Sequence, residues 1–251
     1  MGLKEHQIES GARMSEKRGC FSVSWMLWIP LYGAAFVLSG WMEAHFDCFK
    51  MLQPIAMLIY TSLLMVWYNQ RGRRGMRLPR LSERTARMHI LPLAVLPAMN
   101  LLCANQISAG PASVIILLCA AACEEIFFRG FLLRWLATRN VRRAILISSG
   151  VFSLFHLVNL VQARPALILW QVVYAFAAGL AYGAYTIQQG SLVPCIVSHA
   201  LTNLTAGAPP TESTAAAICC SVSIIVCTGY AWMSVLSPRK YNRRSRYESL
   251  H

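Results

Sequence analysis

Acidic residues are scarce in this sequence, and so is charge in general. Only 10 of the 251 residues are aspartate or glutamate, and charged residues of both signs make up 13%. A soluble domain of this length would be about a quarter charged. Hydrophobic residues instead make up 56% of the chain and come in long blocks. The composition therefore argues against a soluble domain and predicts an integral, multi-pass membrane protein.

Signals for two other classes of protein are also missing. Most of the nine cysteines fall inside apolar blocks, where thiols behave as small buried hydrophobes, so no disulfide framework is expected. The net charge of +13 comes from basic residues that flank the apolar blocks. They form no basic surface interleaved with aromatic residues, so we expect no nucleic-acid partner. We expect these flanks to contact a lipid bilayer with anionic headgroups.

Apolar runs of the length needed to cross a membrane occur eight times. A helix needs about 20 residues to span about 30 Å of hydrocarbon. The sequence therefore predicts an all-α fold, a polytopic membrane bundle of about eight transmembrane helices. The predicted spans are 21–41, 52–68, 88–105, 111–133, 144–161, 166–188, 191–206 and 215–236. Two of these span predictions are weaker than the others: the third span contains two prolines, and the seventh is short and more polar.

The basic residues predict how the chain is oriented. With both termini in the cytoplasm, all but three of the 23 lysines and arginines fall in cytoplasmic segments. The exceptions are Lys50, Arg129 and Arg164. Because cytoplasmic loops carry an excess of lysine and arginine, this arrangement favours an even number of spans with both termini inside. If the source is bacterial, the membrane is expected to be the plasma (inner) membrane.

Two carboxylates lie where a membrane protein rarely has any. Glu124 and Glu125 are deep in the fourth apolar block, whereas the other acidic residues lie in tails, loops or span edges. Burying a carboxylate at mid-bilayer costs at least about 2.5 kcal/mol, so such residues are usually functional. Glu125 and Arg129 are four residues apart and can form an ion pair on one helix face. Glu124 points about 100° away and is the freer carboxylate.

Two histidines also lie well inside apolar blocks, at a depth close to that of Glu124. They are His156, which follows Phe152 by four residues, and His199, which precedes Asn203 by four. A carboxylate and two imidazoles can activate a water molecule. Glu124 would be the general base, and His156 would share the water or bind a metal that polarises it. His199 and Asn203 could stabilise the oxyanion of a tetrahedral intermediate, which predicts amide hydrolysis.

These residues form three motifs in a fixed order. Residues 124–129 read Glu-Glu-x-x-x-Arg, residues 152–156 read Phe-x-x-x-His, and residues 199–203 read His-x-x-x-Asn. The set resembles the motifs of the CPBP intramembrane proteases, which include the type II CAAX prenyl endopeptidases and the bacteriocin-processing and immunity (Abi) proteins. The resemblance covers about residues 117–206.

The resemblance implies an eight-helix bundle with a cavity open to the cytosolic leaflet. It implies an intramembrane endopeptidase acting on membrane-associated substrates of the prenylated CAAX type or of a bacteriocin-like type. It assigns catalytic roles to Glu124, His156, His199 and Asn203, and supporting roles to Glu125, Arg129 and Phe152. Glu124, His156 and His199 are also candidate ligands for Zn²⁺, but a metal-free glutamate mechanism is equally open.

This interpretation divides the chain into four parts. Residues 1–20 form a cytoplasmic tail, and residues 21–110 form the N-terminal transmembrane helices, which include a basic cytoplasmic loop at 69–87. Residues 111–236 form a catalytic transmembrane core, and residues 237–251 form a basic cytoplasmic tail. Two alternative functions are open: a non-catalytic membrane partner or immunity protein, and an ion or solute transporter that uses the same buried carboxylates. No internal repeat of the kind found in many transporters is visible.

Overall fold

The structure is a computed structural model that describes residues 25–46, 51–72, 83–103, 110–161, 164–206 and 213–236. Within these ranges 92% of the residues are helical and there is no strand, so the all-α prediction is confirmed. The chain divides into two compact units, Met1–Met76 and Arg77–His251. Both predicted tails and most of the basic loop at 69–87 lie outside the described residues.

The described residues of the first unit form two helices. Helix α1 covers residues 25–45 and includes a π-helical stretch at Ala34–Leu38, and α2 covers Leu52–Trp67 with a π-helical end at Tyr68–Gly72. The Glu43 carboxylate accepts a hydrogen bond from the backbone N–H of Gln53, 3.1 Å away in the first turn of α2. This contact stabilises the start of α2, because the first N–H groups of a helix have no partner within the helix.

Six helices are described in the second unit. They are α3 (Glu83–Cys103), α4 (Pro111–Ala137), α5 (Val141–Phe155, extended by a 3-10 turn at His156–Val161), α6 (Pro165–Gln189), α7 (Val193–Leu204) and α8 (Thr214–Ala231, extended by a π-helical turn at Trp232–Leu236). Prolines begin α4 and α6, where the missing N–H costs nothing. Helix α6 ends at Gln189. The next residue, Gly190, has a φ of 67° in the left-handed region and turns the chain towards α7.

Four of the described helices are long and apolar enough to cross a membrane. They are Pro111–Ala137, Val141–Leu160, Pro165–Gln189 and Thr214–Val235. His89–Cys103 and Val193–Leu204 are apolar but shorter. The predicted seventh span, 191–206, is too long because α7 has 12 residues and rises about 18 Å, well short of the hydrocarbon thickness. The protein is an integral membrane protein, but helix length and composition support four spans, fewer than the eight predicted.

Small residues let α6 approach α5 closely. A Cβ atom on Gly179 would lie 3.0 Å from Cβ of Ser149, and one on Gly183 would lie 3.4 Å from a methyl group of Ile145. Close approach through small residues is a common way for membrane helices to pack. Near this crossing, Phe152 on α5 contacts Arg129 on α4, and Tyr182 on α6 contacts His199 on α7.

Candidate active site

Helix α4 changes its pitch directly after the two adjacent glutamates. Residues Ile126–Leu132 form a π-helical stretch, in which the N–H of Leu133 bonds to the carbonyl of Phe128, five residues back. Ser148 on α5 donates a second hydrogen bond, of 2.7 Å, to the same carbonyl. Single π-helical turns inside α-helices often occur at functional sites. This stretch was not predicted from the sequence, because apart from Arg129 and Gly130 the apolar residues of α4 continue through it.

The ion pair predicted between Glu125 and Arg129 is present. Arg129 Nη1 lies 3.0 Å from Glu125 Oε1, and both side chains are fully buried. The guanidinium also lies over the Phe152 ring, with Cζ 4.2 Å from the ring centroid, and 5.4 Å from the centroid of Tyr182. Desolvated cation–π contacts of this kind are favourable. Together with the ion pair they offset part of the cost of removing two charges from water.

His199 on α7 lies between the two glutamates. Its Nδ1 is 2.9 Å from Glu125 Oε1, and its Nε2 is 3.7 Å from Glu124 Oε2. Because a carboxylate only accepts, Nδ1 carries the proton and donates to Glu125. This contact could not be predicted from the sequence, since no spacing rule connects positions 74 residues apart on different helices. His199 is 6% exposed, and the Glu124 side chain is 20% exposed.

The local backbone fixes the orientation of His156. Helix α5 changes from α to 3-10 at this residue, and its N–H bonds to Ser153 in place of the fourth residue back. The carbonyl of Phe152 then accepts a 3.0 Å hydrogen bond from Nδ1 of the His156 ring. In the neutral ring the proton is therefore on Nδ1, and Nε2 carries a lone pair. That nitrogen can accept a proton or a hydrogen bond.

The Phe152 ring lies between the two imidazoles. It meets His156 edge-on at 5.0 Å and His199 edge-on at 5.6 Å, with interplanar angles of 83° and 88°. Edge-to-face packing at such distances is the favoured geometry for aromatic pairs. Phe152 therefore lies between the two histidines, and the face of its ring packs against the Arg129 guanidinium. Phe152 thus contacts three of the predicted site residues.

Some of the predicted site residues line a common cavity of about 350 Å³. His156, His199 and Asn203 line it, along with apolar side chains from α3, α6 and α8. Glu124 is not one of its lining residues, but its Oε2 lies 3.7 Å from Nε2 of His199, which is one. Asn203 lies one turn beyond His199 on α7, as the motif spacing requires. The structure thus gathers three of the four predicted catalytic side chains around the cavity and places the fourth beside it.

The candidate zinc ligands do not form a three-ligand site in this geometry. Within the described ranges, no group of three or more histidine, cysteine, aspartate or glutamate side chains is arranged to hold a metal ion. Tetrahedral zinc sites with an open position need three such ligands within about 2.3 Å of the ion. Binding through Glu124, His156 and His199 would therefore require these side chains to move, and the zinc expectation stays a prediction.

The fold and the site define an integral membrane protein with buried acid–base side chains around a cavity. Residues 106–205 match the family model described as type II CAAX prenyl endopeptidase, Rce1-like. All three motifs lie in the matched segment, so the resemblance inferred from them is confirmed there; the segment is less than half of the chain. The family is one of proteases. No curated protein and no solved structure matches the chain.

Proposed function

We propose that the protein is an intramembrane endopeptidase that hydrolyses peptide bonds of membrane-associated substrates with water activated by glutamate and histidine. The observation that carries this proposal is the position of His199. It is held by Glu125, faces Glu124 and lines the same cavity as His156 and Asn203. The match of this segment to a protease family supports the same reaction.

Glu124 is the proposed general base. Of the two glutamates it is the one with an exposed fraction, 20%, so water can reach its carboxylate. It takes a proton from a water that His156 orients through the lone pair on Nε2. The water oxygen then bonds to the carbonyl carbon of the substrate, and the electron pair of the carbonyl moves to its oxygen.

His199 and Asn203 are the proposed partners of that oxyanion. Both line the cavity. Asn203 can present an amide N–H group to a developing negative charge, and His199 can do so from Nε2 when both ring nitrogens carry a proton, because its Nδ1–H is bonded to Glu125. The proton taken by Glu124 can pass to the leaving amine as the peptide C–N bond breaks. Glu125 is a positioning residue in this scheme, because its buried carboxylate holds Nδ1 of His199 and the guanidinium of Arg129.

The proposed substrates are lipidated proteins of the CAAX type or bacteriocin-like peptides, as the family resemblance suggests. The lining of the cavity favours a substrate with an apolar segment, because Leu167, Ile168 and Trp170 line it together with the two histidines. We also propose that both termini are cytoplasmic, in contact with anionic lipid, on the basis of the charge distribution in the sequence.

The proposal is tested with the purified protein in proteoliposomes. A peptide carrying a C-terminal lipid anchor is compared with the same peptide lacking the anchor, and the products are identified by mass spectrometry. Cleavage of the anchored peptide is expected. Solute or proton flux without cleavage of any membrane-anchored peptide would contradict the proposal and favour a transporter.

The role of zinc is tested in the same assay. If Zn²⁺ is part of the mechanism, 1,10-phenanthroline abolishes cleavage, zinc restores it, and the purified protein binds about one zinc per chain. If Glu124 acts without a metal, cleavage survives the chelator. Substitution of His156 separates the two cases further, because a lost ligand lowers the zinc content whereas a lost water-orienting group does not.

A further inference from the structure

Tyr182 on α6 contacts the site from outside the three motifs. Its side chain is almost fully buried, and its ring lies nearly parallel to that of His199, with centroids 6.0 Å apart and an interplanar angle of 26°. The same ring lies 5.4 Å from Cζ of Arg129. Tyr182 therefore contacts both side chains that bond to Glu125 Oε1.

The Tyr182 hydroxyl is fixed by a relay that reaches a third helix. It lies 3.1 Å from Oγ of Ser198 on α7, and Ser198 in turn donates a 2.6 Å hydrogen bond to the carbonyl of Leu93 on α3. A serine hydroxyl has one proton, and a carbonyl can only accept. Ser198 thus donates to Leu93 and accepts from Tyr182, which sets the direction of both hydrogen bonds.

Ser198 directly precedes His199 on α7, so the relay ties this helix to α6 and α3 one residue before the imidazole. Without a fixed neighbour, the His199 ring could rotate about its χ2 bond, which has a broad torsional profile. Rotation would remove Nδ1 from Glu125 and turn Nε2 away from Glu124. The Tyr182 ring stacks on one face of the imidazole, and this contact opposes the rotation.

We propose that Tyr182 is a positioning residue for His199, held in place by its hydrogen bond to Ser198. This inference rests on the proposed function. Tyr182 keeps the imidazole in the plane that allows Nδ1 to bond to Glu125 while Nε2 faces Glu124. Its contribution belongs to the chemical step, because the ring that it orients stabilises charge that develops during the reaction.

The kinetic test uses Tyr182→Phe, Ser198→Ala and the double variant. Each single substitution is expected to lower kcat about 10-fold with KM within about 2-fold of the wild type. The double variant is expected to lose no more than Ser198→Ala, because both changes remove the same hydrogen bond. Tyr185→Phe, a change of another buried tyrosine on α6, is the matched control and should leave kcat unchanged. Additive losses, or a raised KM with an unchanged kcat, would overturn the inference.

A second measurement does not depend on activity. The protein is labelled with ¹⁵N-histidine in detergent micelles, and the Nδ1–H signal of His199 is assigned by its loss in His199→Gln. Tyr182→Leu and Ser198→Ala are expected to broaden this signal through exchange with water, whereas Tyr185→Phe leaves it sharp. An unchanged signal in folded Ser198→Ala protein would refute the positioning role. The expected spectra in a protein that cleaves no peptide would instead refute only the proposed function.

Discussion

Glu125 Oε1 accepts a 2.9 Å hydrogen bond from Nδ1 of His199, although the two residues are 74 positions apart. The same oxygen accepts from Arg129 at 3.0 Å. Within the described part of the chain, Glu125 Oε2 has no hydrogen-bond partner. Both donors therefore converge on one atom of a fully buried carboxylate, which suits Glu125 to orient its neighbours. The more exposed Glu124 is left to exchange a proton with water.

Glu125→Gln should destabilise the protein strongly. The substitution keeps the shape of the side chain but leaves the Arg129 charge buried without a counter-ion. Breaking a buried ion pair in this way typically costs about 3–5 kcal/mol. Unfolding in detergent by denaturant measures the loss, with Glu124→Gln as the comparison because Glu124 is partly exposed. Equal stability of the two variants would mean that the Glu125–Arg129 pair contributes little.

Gly179→Ala should destabilise, whereas Gly150→Ala should not. A Cβ on Gly179 would lie 3.0 Å from Ser149 Cβ and 3.2 Å from Arg129 Nη2, but a Cβ on Gly150 has nothing within 4 Å. Overpacking usually costs about 1–3 kcal/mol. An alanine in open helical space instead stabilises by about 0.5–1 kcal/mol. Thermal unfolding measures the stability of the two variants. The same change in Tm for both would contradict the close approach of α5 and α6.

Alkylation of cysteines that line the cavity should inhibit cleavage. Three cysteines line the cavity: Cys103 on α3, and Cys219 and Cys220 on α8. N-ethylmaleimide adds bulk to such thiols and is expected to block substrate entry, and a substrate peptide should protect against it. A variant with serine at all three positions should retain activity and resist the reagent. Inhibition of that variant would place the reactive thiol elsewhere.

Local spacing predicted part of this architecture well. Each of the eight predicted apolar runs corresponds to a described helix, because long hydrophobic blocks are a strong helical signal. The Glu125–Arg129 pair and the Phe152–His156 contact also follow from spacings of four residues, which place side chains on one helix face. The span count was less accurate, because apolarity alone does not show where a helix such as α7 ends.

Contacts between helices could not be predicted from local spacing. The Glu125–His199 bond depends on how α7 packs against α4, and the Tyr182–Ser198 bond depends on α6. In the sequence, Tyr182 looks like an ordinary aromatic residue of an apolar helix. The π-helical stretch after Glu125 could not be predicted either, because apart from Arg129 and Gly130 its residues are as apolar as those before it, and a change of helix pitch has no signature in hydrophobicity.

The central claim is that Glu124 supplies the base for peptide hydrolysis, and one comparison tests it most directly. Glu124→Gln and Glu43→Gln are assayed in proteoliposomes with the lipid-anchored peptide; Glu43 belongs to the first unit and bonds to Gln53. The account predicts that Glu124→Gln lowers kcat at least about 100-fold without loss of stability, and that Glu43→Gln cleaves like the wild type. Wild-type turnover by folded Glu124→Gln protein would contradict the account.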